Sequence, residues 1–512
     1  MKRVPVLFAT LVVPLLLSAA VGIPAQAGPA AGCTNVAAPT VPGATVTSIT
    51  ATDVPAGDDH IPGGGVIPAV PAHCDVVLYL AHPGAADHVW VDVWLPDSGW
   101  NGRFEGTGGG GYVAGAGDYS LAPAIESGYA AVSTDAGVGF NSLSPASWAL
   151  TPTGAVNIPL LTNFAYRSVH DMTVAGKQIV SAVYGKPAAY SYWNGCSTGG
   201  RQGLMEAQRY PSDYNGIVAA APAINWTQLT AAQLWPQVVM NEAHDHPSSC
   251  EFNAFTQAAI AACDQGDAVN GGMIDQPQRC GFDPRRLIGT TVVCDGTTLT
   301  ITATDADVVH KIWQGPAPLW YGLTKGAPFD LLAGAQPFEI AQTWIQYFLK
   351  QDPNFDTSTI TYGQFVQLFQ QSQAEYERII GTDDPNLVPF ERAGGKMITW
   401  HGLADPLIFP QGSVNYYQRV QAVSGGARNV DSFYRLFLAP GVGHCGQSGN
   451  GPVPTDALGA VVDWVENGAA PDTLPSATTD GTVTRGLCAF PKLARYNGTG
   501  NPDSAANYHC AH

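Results

Sequence analysis

Trp193-Asn-Gly-Cys-Ser-Thr-Gly-Gly-Arg-Gln-Gly203 is the stretch that decides the fold. It contains Gly195-Cys196-Ser197-Thr198-Gly199, a Gly-x-Ser-x-Gly pattern. The apolar run Pro187-Ala-Ala-Tyr-Ser-Tyr-Trp193 before it reads as a strand, and Arg201 to Arg209 after it reads as a helix. Strand, Gly-flanked turn and helix are the context of a nucleophile elbow. There the tight turn exposes the serine hydroxyl and lets the next backbone N–H face an oxyanion. A plain Gly-rich turn with an incidental serine would look the same in isolation, so the partners must come from elsewhere in the chain.

At 512 residues the chain can bury a large core and suggests two or more domains. Its Gly and Pro are high and its charged fraction of 12% is low, which favours a loop-rich protein over a helical bundle. A formal charge of −18 argues against nucleic acid or an anionic membrane as partner. Met1-Lys-Arg3, the apolar run Val4 to Leu17, and Ala25-Gln-Ala27 predict a secretory signal peptide over residues 1–27, with the mature chain starting near Gly28. No later run is long and apolar enough to span a bilayer, so the expected product is secreted and extracellular. The cysteines suit that oxidising destination: Cys33, Cys74, Cys196, Cys250, Cys263, Cys280, Cys294, Cys445, Cys488 and Cys510. Their even number permits five disulfides without fixing the pairing, and no Cys-x-x-Cys spacing points to zinc.

Strand-like runs occur at Asp75 to Ala81, at His88 to Leu95 with half-buried alternation, and at Arg103 to Thr107. The last runs into Gly108-Gly-Gly-Gly-Tyr112, either a plain flexible loop or an oxyanion loop whose bare backbone can approach a carbonyl. Further strands are expected at Gly128 to Thr134, Gly216 to Pro222, Lys396 to Trp400 and Phe433 to Leu438. Helices are expected at Asp171 to Tyr184, Tyr416 to Val423 and Thr455 to Glu466, the last capped by Thr455 or Asp456. This alternation predicts a mostly parallel sheet covered by helices. It breaks after Asn225, where helical stretches rich in large aromatics run to Gly395. The expected organisation is therefore an α/β catalytic domain, residues 28–225 and 396–512, interrupted by a lid, residues 226–395.

A serine hydroxyl needs a base, and the base an orienting acid. In α/β-hydrolases these follow the serine in the order Asp/Glu, then His. His401-Gly-Leu-Ala-Asp405-Pro and Gly443-His444-Cys445-Gly446 both follow strands, so Asp405 and His444 have suitable order and context. His401 precedes the acid and is expected to cap its strand end. Asp135 and Asp171 lie upstream of the serine and are expected to be structural, and His244 with His246 to form a solvated loop. Cys196 precedes the proposed nucleophile and Cys445 follows the proposed base. A disulfide between them would tie the two catalytic loops together.

Gly-Cys-Ser-Thr-Gly-Gly-Arg-Gln, His-Gly-x-x-Asp-Pro and Gly-His-Cys together resemble the tannase and feruloyl esterase family of secreted serine esterases. The resemblance takes in Gly108–Gly111, Tyr166 to Lys177 and Phe390 to Ile398. It implies an α/β-hydrolase fold with a large inserted lid that carries aromatic recognition. It also implies Ser197 as nucleophile, Asp405 as acid, His444 as base, and an oxyanion hole from the N–H of Thr198 and a glycine of the loop, taken as Gly110. It implies the pairs Cys196–Cys445, Cys263–Cys280, Cys33–Cys74 and Cys488–Cys510, which leaves Cys250–Cys294 by elimination.

Cys263-Asp264-Gln-Gly-Asp267-Ala-Val269-Asn-Gly-Gly-Met273-Ile-Asp275 resembles the family's calcium loop. Asp264 and Asp267 match carboxylate ligands, and the carbonyls of Val269 and Met273 match backbone ligands; calcium takes six or more such oxygens. Gly271 stands where the family usually has another Asp, with Asn270 or Asp275 as possible compensation, and the spacing is not that of an EF-hand. The alternative is an acidic surface turn stapled by a disulfide. No cofactor is expected for catalysis. Family acyl groups include hydroxycinnamic acids, gallic acid and the terephthalate half-ester, and Thr198 resembles the feruloyl esterase and tannase members. The expected partner is a small aromatic ester, and a phenolic-binding protein without activity is the non-enzyme alternative. Asn225-Trp-Thr and Asn497-Gly-Thr are glycosylation acceptors in a host that glycosylates.

Overall fold

Nine strands pair into one central sheet in a computed structural model, which describes residues 33–61, 65–264 and 269–512. In chain order they are β1 (Thr45–Val54), β2 (His73–Ala81), β3 (Val89–Pro96), β4 (Arg103–Thr107), β5 (Ala130–Thr134), β6 (Tyr190–Cys196), β7 (Gly216–Ala220), β8 (Lys396–Gly402) and β9 (Tyr434–Ala439). Their spatial order is β1-β2-β3-β5-β4-β6-β7-β8-β9. The pairings from β1 through β5 are antiparallel, and those from β5 to β9 are parallel. Parallel neighbours need crossovers, and helices supply them. They are α1 (Asp118–Glu126), α2 (Ser168–Tyr184), α3 (Thr198–Arg209) and α4 (Pro410–Val423), while α5 (Ala457–Asn467) follows β9. This is the expected α/β-hydrolase architecture.

Two apolar layers sandwich the sheet. Met172 and Ile179 of α2, Leu204 of α3 and Val420 of α4 pack on one face with Val91, Val93 and Val132. Leu121 and Ile125 of α1 and Val461 and Trp464 of α5 pack on the other with Trp94 and Ile398. β3 is therefore buried along almost its whole length instead of alternating, and Trp90 is its one residue short of full burial. The alternation expected there is corrected by coverage from both sides. Helix α5 starts as expected, with the Asp456 carboxylate accepting the Gly459 N–H at 2.6 Å. The edge strand β1 escaped the sequence reading because it is Thr-rich and largely exposed. The tail beyond α5 holds further short strands, Thr473–Ala477, Thr484–Cys488, Leu493–Tyr496 and Tyr508–Ala511.

Residues 226–395 enter between β7 and β8 and, among the described residues, carry five α-helices of seven residues or more, Trp226–Ala232, Trp235–Ala243, Ser249–Cys263, Ala303–Gln314 and Tyr362–Ile380, and a π-helix, Trp344–Lys350. Trp226, Trp344, Phe348, Phe365 and Phe369 are buried in one cluster with Tyr112, Trp148 and Phe164 from outside the insertion. The inserted segment thus shares its core with the loops above the sheet. Five disulfides join Cys33–Cys74, Cys196–Cys445, Cys250–Cys294, Cys263–Cys280 and Cys488–Cys510. The predicted leader, residues 1–27, and the calcium-loop residue Asp267 lie outside the described residues. Among the described residues no helix is long and apolar enough to cross a membrane.

Candidate active site

Ser197 sits between β6 and α3 with φ 62° and ψ −122°, a left-handed conformation costly for a side-chain-bearing residue. The turn is held from both sides: the Ser197 N–H donates to the Ala220 carbonyl at 3.1 Å, and the Ser197 carbonyl accepts the Ala223 N–H at 3.0 Å. Trp193 is fully buried and donates its indole N–H to the Gly199 carbonyl at 2.9 Å. The elbow is a strained turn over-determined by its surroundings.

The glycine loop after β4 lies directly against it. The Gly199 N–H donates to the Gly109 carbonyl at 2.9 Å. A Cβ on Gly108 would fall 2.4 Å from Gly199 Cα, so this backbone approach requires glycine. Gln202 of α3 clamps the loop, accepting the Gly109 N–H at 3.1 Å and donating to the Ala114 carbonyl at 2.9 Å. The Thr198 hydroxyl donates to the Gly111 carbonyl at 2.7 Å. That buried side chain therefore braces the loop and does not form a wall of the cavity. Thr198 heads α3, where an N–H has no helical carbonyl to meet. The Gly110 N–H has no acceptor among the described residues, and a Cβ there would meet nothing within 4 Å.

Asp405 follows β8 and His444 follows β9. His444 Nδ1 lies 2.8 Å from Asp405 Oδ2. Asp405 is completely buried, and its Oδ1 accepts the N–H groups of Leu407 and Ile408 at 2.8 and 2.9 Å. Burial pushes its pKa up, but the His444 charge and hydrogen bonds from His401 and His444 outweigh that and hold it well below the usual carboxylate range. An ionised Asp405 accepts from Nδ1–H of His444, and in the neutral imidazole with that tautomer Nε2 is the proton acceptor. Ser197, His444, Cys196, Cys445 and Gly108–Gly111 all line one cavity of about 1190 Å³.

His401 does more than the expected strand-end cap. It is fully buried, with Nδ1 2.8 Å from Ser413 Oγ and Nε2 3.0 Å from the Ile408 carbonyl and 3.3 Å from Asp405 Oδ2. Nε2 faces two acceptors, so it carries the proton. The supporting roles of His401 and Gln202 were not foreseen; their only signal was membership of the two motifs.

Asp135 accepts the N–H groups of Trp90 and Gly137, and Asp171 bonds His82, so neither is placed as the acid partner of His444. His244 and His246 are exposed. Asp264 accepts the N–H groups of Gly271, Gly272 and Met273 at 3.1, 2.9 and 3.3 Å.

Known proteins share the fold of this chain. The family description "Tannase and feruloyl esterase" matches residues 74–339 and 333–511. The chain is 45% identical over 501 residues to a probable feruloyl esterase of Arthroderma benhamiae, spanning 94% of this chain and 93% of the relative. It is 33% identical to feruloyl esterase B of Aspergillus niger over 83% of this chain and 84% of that protein. Tannin acyl hydrolase from Aspergillus niger superposes with a TM-score of 0.82 at 26% identity, over 92% of both chains. Feruloyl esterase B from Aspergillus oryzae superposes at 0.79 and 27% identity, over 92% of this chain and 97% of that one. The chain therefore belongs to the tannase and feruloyl esterase family and is a carboxylic ester hydrolase.

Proposed function

We propose that the protein is an exported esterase that cleaves esters of hydroxycinnamic acids through an acyl-enzyme, with Ser197 as nucleophile. The carrying observation is the 2.8 Å contact of His444 Nδ1 with Asp405 Oδ2 at the cavity that Ser197 and His444 line. His444 takes the Ser197 proton as Oγ attacks the ester carbonyl. The N–H groups of Thr198 and Gly110 stabilise the oxyanion, and the alcohol leaves with the proton from His444. Water then attacks the acyl-enzyme by the same route, with His444 again as base, and returns Ser197 with the free acid. Relatives named feruloyl esterases, one of them 45% identical, support the hydroxycinnamoyl choice. The tannin acyl hydrolase likeness, at a TM-score of 0.82, favours galloyl esters as a second reading. Comparing kcat/KM for methyl ferulate, methyl gallate and mono(2-hydroxyethyl) terephthalate tests the choice, with the ferulate ester expected to lead. Ser197→Ala is expected to abolish turnover with little change in Tm; retained turnover would falsify the mechanism.

Export accords with the predicted leader and the five disulfides. A structural calcium ion accords with the loop after Cys263. Asp264 gathers the amides of residues 271–273 around a carboxylate, and a Cβ on Gly271 would point to within 4.0 Å of Asp264 Oδ1. Asp264, Asp267 and the carbonyls of Val269 and Met273 would hold the ion.

A further inference from the structure

Glu206 on α3 is only 1% exposed, and no donor reaches either of its carboxylate oxygens. A buried carboxylate without a hydrogen bond is costly unless something else offsets its charge. Two ligand-type side chains stand beside it. His170 on α2 and Asp213, between α3 and β7, meet each other, Nδ1 to Oδ2, at 2.6 Å. One ring nitrogen of His170, one oxygen of Glu206 and one oxygen of Asp213 all lie within 4.8 Å of one another. The Tyr210 ring, stacked on His170 at 3.8 Å with an interplanar angle of 5°, fixes the plane of the imidazole. Glu206 is the buried floor of the cluster. The side chains of His170 and Asp213, 25% and 16% exposed, open it to solvent.

The surrounding protein supplies little countercharge. Among the described residues, the only ion pair that either carboxylate makes is that of Asp213 with His170. Lys177 is committed elsewhere: its Nζ donates to the Asp213 backbone carbonyl and lies 5.3 Å from the centroid of the Tyr214 ring. A cation within the cluster would meet two carboxylates and an imidazole. Imidazole suits zinc and the neighbouring transition metals, whereas calcium and magnesium take oxygen ligands. Zinc bound at about 2.0–2.2 Å sets tetrahedral ligands about 3.4 Å apart, so these donors need shifts of about 1 Å. Water on the exposed side completes the fourth position.

We propose that His170, Glu206 and Asp213 form a site for a divalent transition-metal ion of the zinc class. It is separate from the elbow, because Glu206 lies about 12 Å along α3 from Thr198 at about 1.5 Å per residue. The ion would join α2, α3 and the turn before β7, and so brace the far end of the helix that Ser197 precedes.

Zinc itself is the probe, titrated by calorimetry into metal-free wild type in excess calcium, which competes for the loop after Cys263. One equivalent is expected to bind and to raise Tm. Glu206→Gln, His170→Ala and Asp213→Asn should each weaken Kd at least about 10-fold. His444→Ala, and His244→Ala combined with His246→Ala, should leave Kd unchanged. Zinc should also protect His170 of the wild type from diethylpyrocarbonate, read by peptide mass spectrometry, a measurement that needs no variant to fold. No binding by the wild type, an unprotected His170, or binding that survives Glu206→Gln with His170→Ala would overturn the site. Loss of binding in the control variants would overturn it equally, by placing the zinc on other histidines.

Discussion

His401 Nε2 lies 3.3 Å from Asp405 Oδ2, the same oxygen that His444 Nδ1 meets at 2.8 Å. One carboxylate oxygen thus holds two histidines, and only one of them lines the cavity. His401→Phe keeps the volume but removes a donor to a charged group, a bond of about 1.5–3 kcal/mol. We expect kcat/KM to fall about 10–100-fold. Asp405 should also move up toward its ordinary pKa. A depressed carboxylate contributes stability above its unfolded pKa, and this is lost as pH falls. Urea midpoints measured from pH 3 to 7 should therefore be lower at pH 7 in His401→Phe and fall less steeply on acidification than those of the wild type. An unchanged pH profile would show that His401 only fills space.

Cys196 and Cys445 flank the proposed nucleophile and base and are bonded across a sequence separation of 249 residues. In the chain-entropy account a loop of that size is worth at most about 5 kcal/mol, less because other disulfides already shorten it. The double variant Cys196→Ser with Cys445→Ser should lower the urea midpoint, and kcat should fall because nothing else covalently holds the His444 turn to the elbow. Loss of stability with full kcat would make the bond a staple alone.

Much of this site was legible in the sequence because strand-end motifs are local. Gly195–Gly199, Asp405 and His444–Cys445 each lie within a residue or two of an element boundary that hydrophobic patterning could find. What was not legible depends on tertiary contact. Coverage of both sheet faces buried β3, which periodicity alone read as half-exposed. Packing turned most insertion aromatics into a core shared with Tyr112 and Trp148, and turned the Thr198 side chain onto Gly111. The cavity wall also takes in Tyr79, Trp90 and Phe140, residues that no motif connects.

Glu105 on β4 is almost fully buried, with Asn194 Nδ2 donating to it at 3.3 Å. It ties the strand that leads to the glycine loop to the strand that leads to the elbow. Burial pushes its pKa up from 4.5 to about 7, against the smaller effect of that hydrogen bond. With the folded pKa above the unfolded one, the native state binds more protons, so stability falls as pH rises through that window and then levels off. The interval corresponds to about 3 kcal/mol. Glu105→Gln should lose this pH dependence and be the more stable protein at pH 8, read from urea midpoints at pH 4.5 and 8.

Chelation tests the calcium loop. EGTA is expected to lower Tm and added calcium to restore it, by several degrees, because a ligand that binds only the folded state stabilises it by mass action. Gly271→Asp would place a second carboxylate beside Asp264 Oδ1 and should strengthen calcium binding in titration calorimetry. No response of Tm to EGTA in the wild type would leave the loop an acidic turn stapled by Cys263–Cys280.

Neighbouring glycines separate folding from catalysis. Gly111 has φ +57°, and a Cβ there would lie 1.9 Å from the Ser142 carbonyl oxygen, which accepts the Tyr112 N–H at 2.8 Å. Gly111→Ala must therefore displace the loop. That should lower Tm and, by moving the Gly110 N–H away from the oxyanion, cut kcat by about 10²–10³-fold. Gly110→Ala meets no atom within 4 Å, so its Tm should hold. Its methyl projects into open space beside the serine, so a change should appear in KM before kcat. If Gly111→Ala kept full kcat, the oxyanion donors would have to lie elsewhere than on this loop.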